Sequence, residues 1–348
     1  MVVCEDRVKE RMGFLSQDPT RLKECRGQGL YDQLNSLGLT HSQFFKALGT
    51  GADEYCAKEF GVDLSRITVE RFFQSDPAAK WLFPDIVRQA ILKGIKRKPM
   101  FPELIIRDEK IGGTTYDVPF VTESEDDEEL RSVAEGAAIP ESEIAYGDRM
   151  VKLDKKGRGI IASYEVVRRM SVDMLRVHLE RMGERLGRSL DARLADVLVN
   201  GDSSGSGTAP VTVNTATSGV WVYDDIVKGV MKLSLEHYFT PTHILANSDL
   251  NQTILGMSPF QDSHLFDFAK SGNLPTPFGA KLVPLVDQPA DKLTILDSGY
   301  AAQKLTEQDL LVESDKLIHQ QWDRTFITLV TDFAVIYEKA RVVVQSDW

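Results

Sequence analysis

The densest chemistry in this 348-residue chain is a run of carboxylates, Glu123, Glu125, Asp126, Asp127, Glu128 and Glu129, held within seven residues. Clustered carboxylates can bind calcium, but a twelve-residue calcium loop needs a mid-loop glycine for its sharp turn, and this run has none. A solvated acidic loop is expected instead. The stretch from Gly201 to Gly207 holds three glycines and three serines. No Lys-Ser or Lys-Thr follows it, so it is not a phosphate-binding loop, and Gly205-Ser206-Gly207 lacks the remaining positions of a nucleophile elbow. His41, His178, His237, His243, His264 and His319 never fall at metal-ligand spacing with one another or with cysteine. The expectation is therefore no catalytic residue, no metal and no cofactor.

Composition narrows the class further. The chain is 42% hydrophobic and 27% charged, as in ordinary globular proteins, and its length allows one large domain or two to three smaller ones. Apolar stretches fall short of the ~18 residues that a membrane span requires. Glu5 and Asp6 interrupt any basic-then-apolar signal region, so synthesis in the cytosol is expected and no membrane partner. Cys4, Cys25 and Cys56 are odd in number and widely spaced, which reads as reduced thiols. A net charge of −11 argues against sequence-specific nucleic-acid binding.

The elements that would position these residues follow from periodicity. Residues 1–100 read as mainly helical, with a capping box at Thr40 and Gln43 and a second cap at Asp76-Pro77. That second helix runs through Trp81, Ile86, Ala90 and Ile91 into a basic cluster, Lys93, Lys96, Arg97 and Lys98, suited to a helix C-terminus and to solvent. Residues 114–122 predict a strand leading into the acidic run. A return strand is expected over 150–161, carrying Lys152, Lys155, Lys156 and Arg158, so that an acidic arm and a basic arm face each other across a hairpin or across to a neighbouring subunit.

Leu175, Leu179, Met182, Leu186, Leu190, Leu194 and Val197 recur at three- and four-residue steps and predict one long helix over 171–199, stopped by Asn200-Gly201. Its other faces carry Arg181, Arg185 and Arg188. Downstream the chain alternates. A helix over 223–238 is expected to bury Ile226, Val227, Val230, Met231 and Leu235. Strands are expected at 242–246, 281–286, 293–296 and 301–312, a helix at 248–257, and a long strand or hairpin over 325–344.

In this order the residues resemble a known family. Pro140-Glu141-Ser142-Glu143, then Ser163-Tyr164-Glu165 opening a helix, the long helix itself, and Asn200-Gly201-Asp202-Ser203-Ser204-Gly205 are similar to the extension loop, spine helix and following turn of tailed-phage major capsid proteins of the Hong Kong 97 fold. Pro277-Phe278-Gly279 ahead of Leu282-Val283-Pro284 continues the resemblance. It implies an α+β subunit with an N-terminal arm over 1–100, an extended β-hairpin and the start of a peripheral domain over 101–162, the spine helix over 163–210, a mainly axial domain over 211–315, and C-terminal strands over 316–348.

The resemblance implies self-assembly through pentamers and hexamers into an icosahedral shell around double-stranded DNA held without sequence specificity. Portal and scaffold proteins, and a cement or decoration protein, are the other implied partners. The implied assembly interface takes the acidic run, Pro140, Glu141 and Glu143, the four cations of the return strand, and Arg181, Arg185 and Arg188. Some relatives join subunits by a lysine–asparagine isopeptide bond assisted by glutamate. Here the loop tip holds Gly136, Ala137, Ala138 and Ile139, and the last strands hold Arg324 and Thr331 or Asp332, so no crosslink is expected. The rival readings are an encapsulin-type compartment and a soluble enzyme or binding protein.

Overall fold

The computed structural model describes residues 68–69, 83–97, 99–121, 132–133, 135–136, 144–205, 208–257, 279–317, 320 and 322–348. The acidic run, Pro140, Glu141, Glu143 and both expected caps near Thr40 and Asp76 lie outside them. The chain divides into two compact units. The first takes Met1–Lys98, Gly157–Gly187 and Leu310–Leu329, and the second Pro99–Lys156, Arg188–Asp309 and Val330–Trp348.

In the first unit, α1 (Phe83–Ile95) lies against the opening turns of the long helix. Two short elements precede that helix in chain order, α2 (Phe101–Leu104) and α3 (Tyr164–Arg169), so it is α4 (Val172–Asn200). At 29 residues it spans about 44 Å at 1.5 Å per residue. Ser171 Oγ accepts the Met174 amide at 3.2 Å and starts it. Gly201 ends it with φ +97° and its amide on the Val197 carbonyl at 2.9 Å, as the sequence leads one to expect. Ala90, Ile91 and Val87 of α1 pack with Leu179 and Ile327 to form the core of this unit. Backbones approach closely here. A Cβ on Gly94 would stand 2.1 Å from the Glu180 carbonyl oxygen, and one on Gly183 2.2 Å from that of Ile91. Glycine in mid-helix costs about 1 kcal/mol, offset here by a contact no other residue permits.

The second unit is built on a five-stranded sheet. Its strands are β5 (Val211–Asn214), β6 (His243–Ala246), β7 (Lys281–Pro284), β8 (Lys292–Leu296) and β11 (Arg341–Gln345), in the order β5-β11-β8-β6-β7. β11 runs antiparallel to β8 and parallel to β5, while β6 runs antiparallel to β8 and parallel to β7. Both edges are four-residue strands, one ending in Pro284, which limits pairing with foreign strands. Ile226, Val230 and Leu233 from α5 (Tyr223–Met231) and the π-helical turn behind it, with Leu250 and Ile254 from α6 (Ser248–Leu255), cover Ile244, Ile295, Val342 and Val344 of the sheet.

A four-stranded sheet joins β1 (Asp108–Lys110), β9 (Ala302–Leu317), β10 (Trp322–Val335) and β4 (Asp154–Ser163) in the order β1-β9-β10-β4. A two-stranded hairpin pairs β2 (Thr115–Val121) with β3 (Ile144–Lys152) in antiparallel register, with a bulge between Asp117 and Pro119.

Three expectations are corrected. The return strand is not one strand over 150–161. The partner of β2 ends at Lys152, and β4 belongs to the other sheet, because Leu153 turns inward. It is 4% exposed, packs with Val118, Val151 and Leu305, and its amide donates to the Thr114 carbonyl at 2.8 Å. The helix over 223–238 ends at Met231 and continues as a π turn over Lys232–Glu236. Leu233, seven residues past Ile226 and three past Val230, stays on their buried face, whereas Met231 and Leu235 are exposed at 38% and 65%. Finally, 325–344 is no hairpin. β10 and β11 sit in different sheets, separated by a 3-10 turn at Glu338–Ala340.

Candidate assembly surface

The chemistry available on the described residues is ionic and apolar. Among them no group of three or more His, Cys, Asp or Glu is arranged to hold a metal ion, and no helix is long and apolar enough to cross a membrane. The charged features fall into two groups, one in each unit.

In the first unit the C-terminal turns of α1 and the first half of α4 enclose a cleft of about 790 Å³, lined by Gln89, Leu92, Lys93, Lys96, Arg97 and Glu180. The glycine contacts hold the helices close enough for side chains to bridge them. Lys93 Nζ donates to Glu180 Oε1 at 2.7 Å, and Arg97 Nη1 to Glu184 Oε1 at 2.7 Å. Arg181 donates to the other oxygen of Glu184. That bond, with Arg97 beside it, holds the Glu184 carboxyl below the usual carboxylate range. Lys96 and Arg185 are exposed.

In the second unit charge is used for internal support. Arg193 grips Asp332 with two bonds, Nε to Oδ1 at 2.9 Å and Nη2 to Oδ2 at 3.0 Å, and also reaches Asp196 at 2.6 Å. Asp332 is 1% exposed, and its pull raises the Arg193 guanidinium pKa well above an already high value. Burial lowers the Lys156 ammonium, with Asp332 opposing that shift and Arg193 adding to it. Asp191, on the same helix, accepts the Phe101 amide at 2.8 Å and the Met100 amide at 3.1 Å, so α4 caps α2. Burial nevertheless pushes its carboxyl upward against those two bonds. Deeper still, Arg341 is fully buried. It donates to the Thr208 carbonyl, and its guanidinium is held down to about 10 by burial.

These contacts place each expected interface residue that lies on described chain. Lys152 ends the hairpin opposite Thr115, and its backbone exchanges hydrogen bonds with the Ser203 hydroxyl. Lys155, Lys156 and Arg158 are on β4, not on the hairpin. Arg181 and Arg185 are in the first unit, whereas Arg188 is in the second, 3.6 Å from Asp287. Among the described residues the basic positions therefore do not share one arm. Sequence reasoning passed over Lys93, Lys96 and Arg97 as a solvated helix end. The signal that could have found their partner was the pair Gly183 and Gly187, four apart inside a helix, marking a face that touches another backbone.

Apolar exposure completes the surface. Ile161, Val166, Met174 and Val177 in the first unit are 54%, 45%, 51% and 56% exposed, and Leu235, Tyr238 and Val286 in the second 65%, 77% and 58%. Large apolar side chains are thus exposed in both units.

The family model described as phage capsid protein matches residues 146–343, more than half of the chain. Solved structures with the same fold include the capsid of a native GTA particle, at 16% identity and a TM-score of 0.54, covering 71% of this chain and 90% of that one. A virus-like particle from Pyrococcus furiosus gives 12% identity and a TM-score of 0.51, covering 76% and 99%. Mycobacterium phage Che8 gives 14% identity and a TM-score of 0.51, covering 71% and 91%. No curated protein matches the sequence. The chain belongs to the phage capsid protein family, its mixed helix and strand fold is that of Hong Kong 97-like capsid structures, and its role is structural: it is a major capsid protein, a building block of an icosahedral virion shell.

Proposed function

We propose that copies of this chain, made in the cytosol of a bacterial host, assemble through pentamers and hexamers into a shell that encloses double-stranded DNA, with portal and scaffold proteins, and a cement protein, as further partners. Membership of the capsid family carries this reading. The exposed apolar side chains and the exposed cations of the first unit support it, since a shell subunit needs contact surface on more than one side. The net charge of −11 suits a wall that does not grip a packaged polyanion.

The contacts between copies are assigned to the acidic run of residues 123–129, to Pro140, Glu141 and Glu143, and to the cations at Lys152, Lys155, Lys156, Arg158, Arg181, Arg185 and Arg188. Assembly without covalent crosslinks fits the last strands, where both oxygens of Asp332 accept from Arg193 and the Thr331 hydroxyl donates to the Leu305 carbonyl at 2.7 Å. Residues 1–100 are retained as an arm that laces subunits together, a reading supported at its last helix by the packing of Val87 and Ile91 with Leu179.

Negative-stain electron microscopy of the purified protein tests this, with nuclease treatment and intact-mass analysis of any particles. Closed shells holding nuclease-protected DNA, in a chain that still includes residues 1–100, are expected. A uniform monomer under several salt conditions would overturn the reading. Shells enclosing protein cargo without DNA would replace it with the compartment reading.

A further inference from the structure

We infer that Arg341 anchors a buried site for one small monovalent anion of the halide class, inside the second unit, where β10 passes into β11. Such an ion would serve the folded subunit whether or not shells form. Arg341 opens β11 and has no exposed surface. A guanidinium presents five N–H donors in one plane. Here Nη2 donates to the Thr208 carbonyl, while Nε and Nη1, equally buried, meet no acceptor among the described residues.

The buried charge around Arg341 does not balance. Asp202 is the buried carboxylate that acts on it, and both oxygens of Asp202 are already in use. Oδ1 accepts the Ser204 amide at 3.0 Å, and Oδ2 accepts the Val335 amide at 3.0 Å and stands 3.6 Å from Arg149 Nη2. Arg149 is itself 8% exposed, donates to the Val335 carbonyl at 3.2 Å, and acts on Arg341 as a second cation. Glu338 pulls on Arg341 only from an exposed position. Two buried cations thus share one buried carboxylate. All of these residues belong to the second unit.

The guanidinium is still charged at neutral pH with its pKa held down to about 10, so the imbalance is not relieved by losing a proton. A buried charge is tolerated when it is paired and its donors are satisfied. One water would accept from these N–H groups but leave the charge uncompensated. A halide does both. Because Arg341 is fully enclosed, a polyphosphate or a nucleic acid would have to bury its neighbouring charges as well, which selects a single small ion. Asp202 and Thr208 lie between α4 and β5, Val335 ends β10 and Arg341 begins β11, so a bound ion would tie the connection from α4 to β5 to that from β10 to β11.

The test is thermal unfolding of the full chain in sodium chloride, sodium bromide and sodium gluconate at equal ionic strength, in one assembly state checked by size exclusion. It is paired with diffraction from crystals grown in bromide and recorded at the bromine absorption edge. Chloride and bromide are expected to raise Tm by at least about 2 °C over gluconate and to saturate, since an ion bound by the folded state alone stabilises it by mass action. Bromide is expected beside Nε and Nη1 of Arg341. Arg341→Met removes the charge and most of the polarity at similar length, and is expected to lose the halide response. Should it fail to fold by circular dichroism, Arg341→Lys is used. It keeps the charge without the planar fork and is expected to need at least about tenfold more chloride for half the effect.

Equal melting in chloride and gluconate would overturn the inference. So would a halide response that Arg341→Met retains, or that Arg341→Lys leaves unchanged, since either would place the ions elsewhere. Bromide beside Arg341 with no shift in melting would mean an adventitious ion only. Sulfate acting as well as chloride, and through Arg341, would replace the small monovalent ion with an oxyanion.

Discussion

The two halves of α4 are built by different means. Up to Gly187 the helix belongs to the first unit. There it is held by glycine contacts and a few apolar residues, and it leaves Met174 and Val177 half exposed beside a set of cations. From Arg188 it belongs to the second unit, where Leu190, Leu194, Ala195, Val197, Leu198 and Val199 are all at most 4% exposed and Arg193 is locked to Asp332. One continuous helix thus spends one half on its own core and the other on outward surface. The difference indicates that substitutions in the second half should report on stability, and those in the first half on packing of a single partner helix and on assembly.

The sharpest way to break this contrast is at Arg193. Arg193→Ala leaves the Asp332 carboxylate buried without its bidentate partner, and a loss of about 3–5 kcal/mol is expected in denaturant unfolding. Replacing both residues together, Arg193→Met with Asp332→Leu, is expected to recover most of that loss, because no charge is then left buried. A double variant as unstable as the single would mean that the pair does more than satisfy itself.

In the first half the corresponding test is steric. Gly183→Ala and Gly94→Ala would each place a Cβ about 2 Å from a backbone oxygen that cannot move like a side chain, at a cost of about 1–3 kcal/mol. Gly112→Ala, where nothing lies within 4 Å, serves as the neutral control. Hydrogen exchange should locate the damage in peptides from 83–97 and 172–187, leaving 188–200 protected. Equal loss of protection along the whole helix would erase the distinction between its halves.

A milder effect is expected at Asp191, where the second half caps α2. Asp191→Ala removes the acceptor for two amides and should cost about 1–2 kcal/mol. Asp191→Asn keeps an oxygen for both amides and removes a carboxylate that burial already disfavours, so it should cost much less. The sign of the pH dependence follows. With its pKa raised in the fold, the native group favours the fold most below the ordinary value of 3.8, and that contribution is lost as pH rises through the shifted value. The Asn variant should not show that decline.

How much of this was readable in the sequence divides along the same line. The long helix was legible because Leu175 through Val197 keep one apolar stripe and Asn200-Gly201 supplies the stop. Three of the five strands of the second unit's sheet, His243–Ala246, Lys281–Pro284 and Lys292–Leu296, were legible because short β-branched runs alternate with Asp, Gly and Pro, whereas Val211–Asn214 was not expected and Arg341–Gln345 was merged with the strand before it. What escaped depends on registers that neighbours impose. Leu153 breaks the return strand in two because it has a core to enter, and no local propensity signals that. The π turn at Lys232–Glu236 carries no such signal either, whereas the burial of Leu233 rather than Leu235 was legible, since Leu233 lies seven residues past Ile226. The cleft escaped because its walls, α1 and α4, are about 87 residues apart in sequence, and ion pairs such as Lys93–Glu180 carry no local signature.

The smallest expected effect is a titration confined to the second unit. His243 on β6 is half-buried, and burial lowers its pKa from 6.5, with Lys281 of β7 adding to the shift and Glu103 of α2 opposing it. Lys281 also donates to Glu103 at 2.6 Å and keeps that carboxyl below its ordinary value, so Glu103 stays charged through the range where His243 titrates. A histidine lowered in the fold contributes stability that is full above 6.5 and is lost as pH falls through the folded value, because the unfolded chain takes the proton first. Unfolding at about pH 7 and about pH 5.5 should therefore differ by a small amount, under about 1 kcal/mol from this group, and His243→Gln should remove that part. The glycine variants of the first half should keep the full difference, since nothing they disturb includes His243. If His243→Gln left the pH dependence unchanged while a first-half variant abolished it, the acid-sensitive element would lie on the α1 side of the helix, and the division of labour along α4 would have to be redrawn.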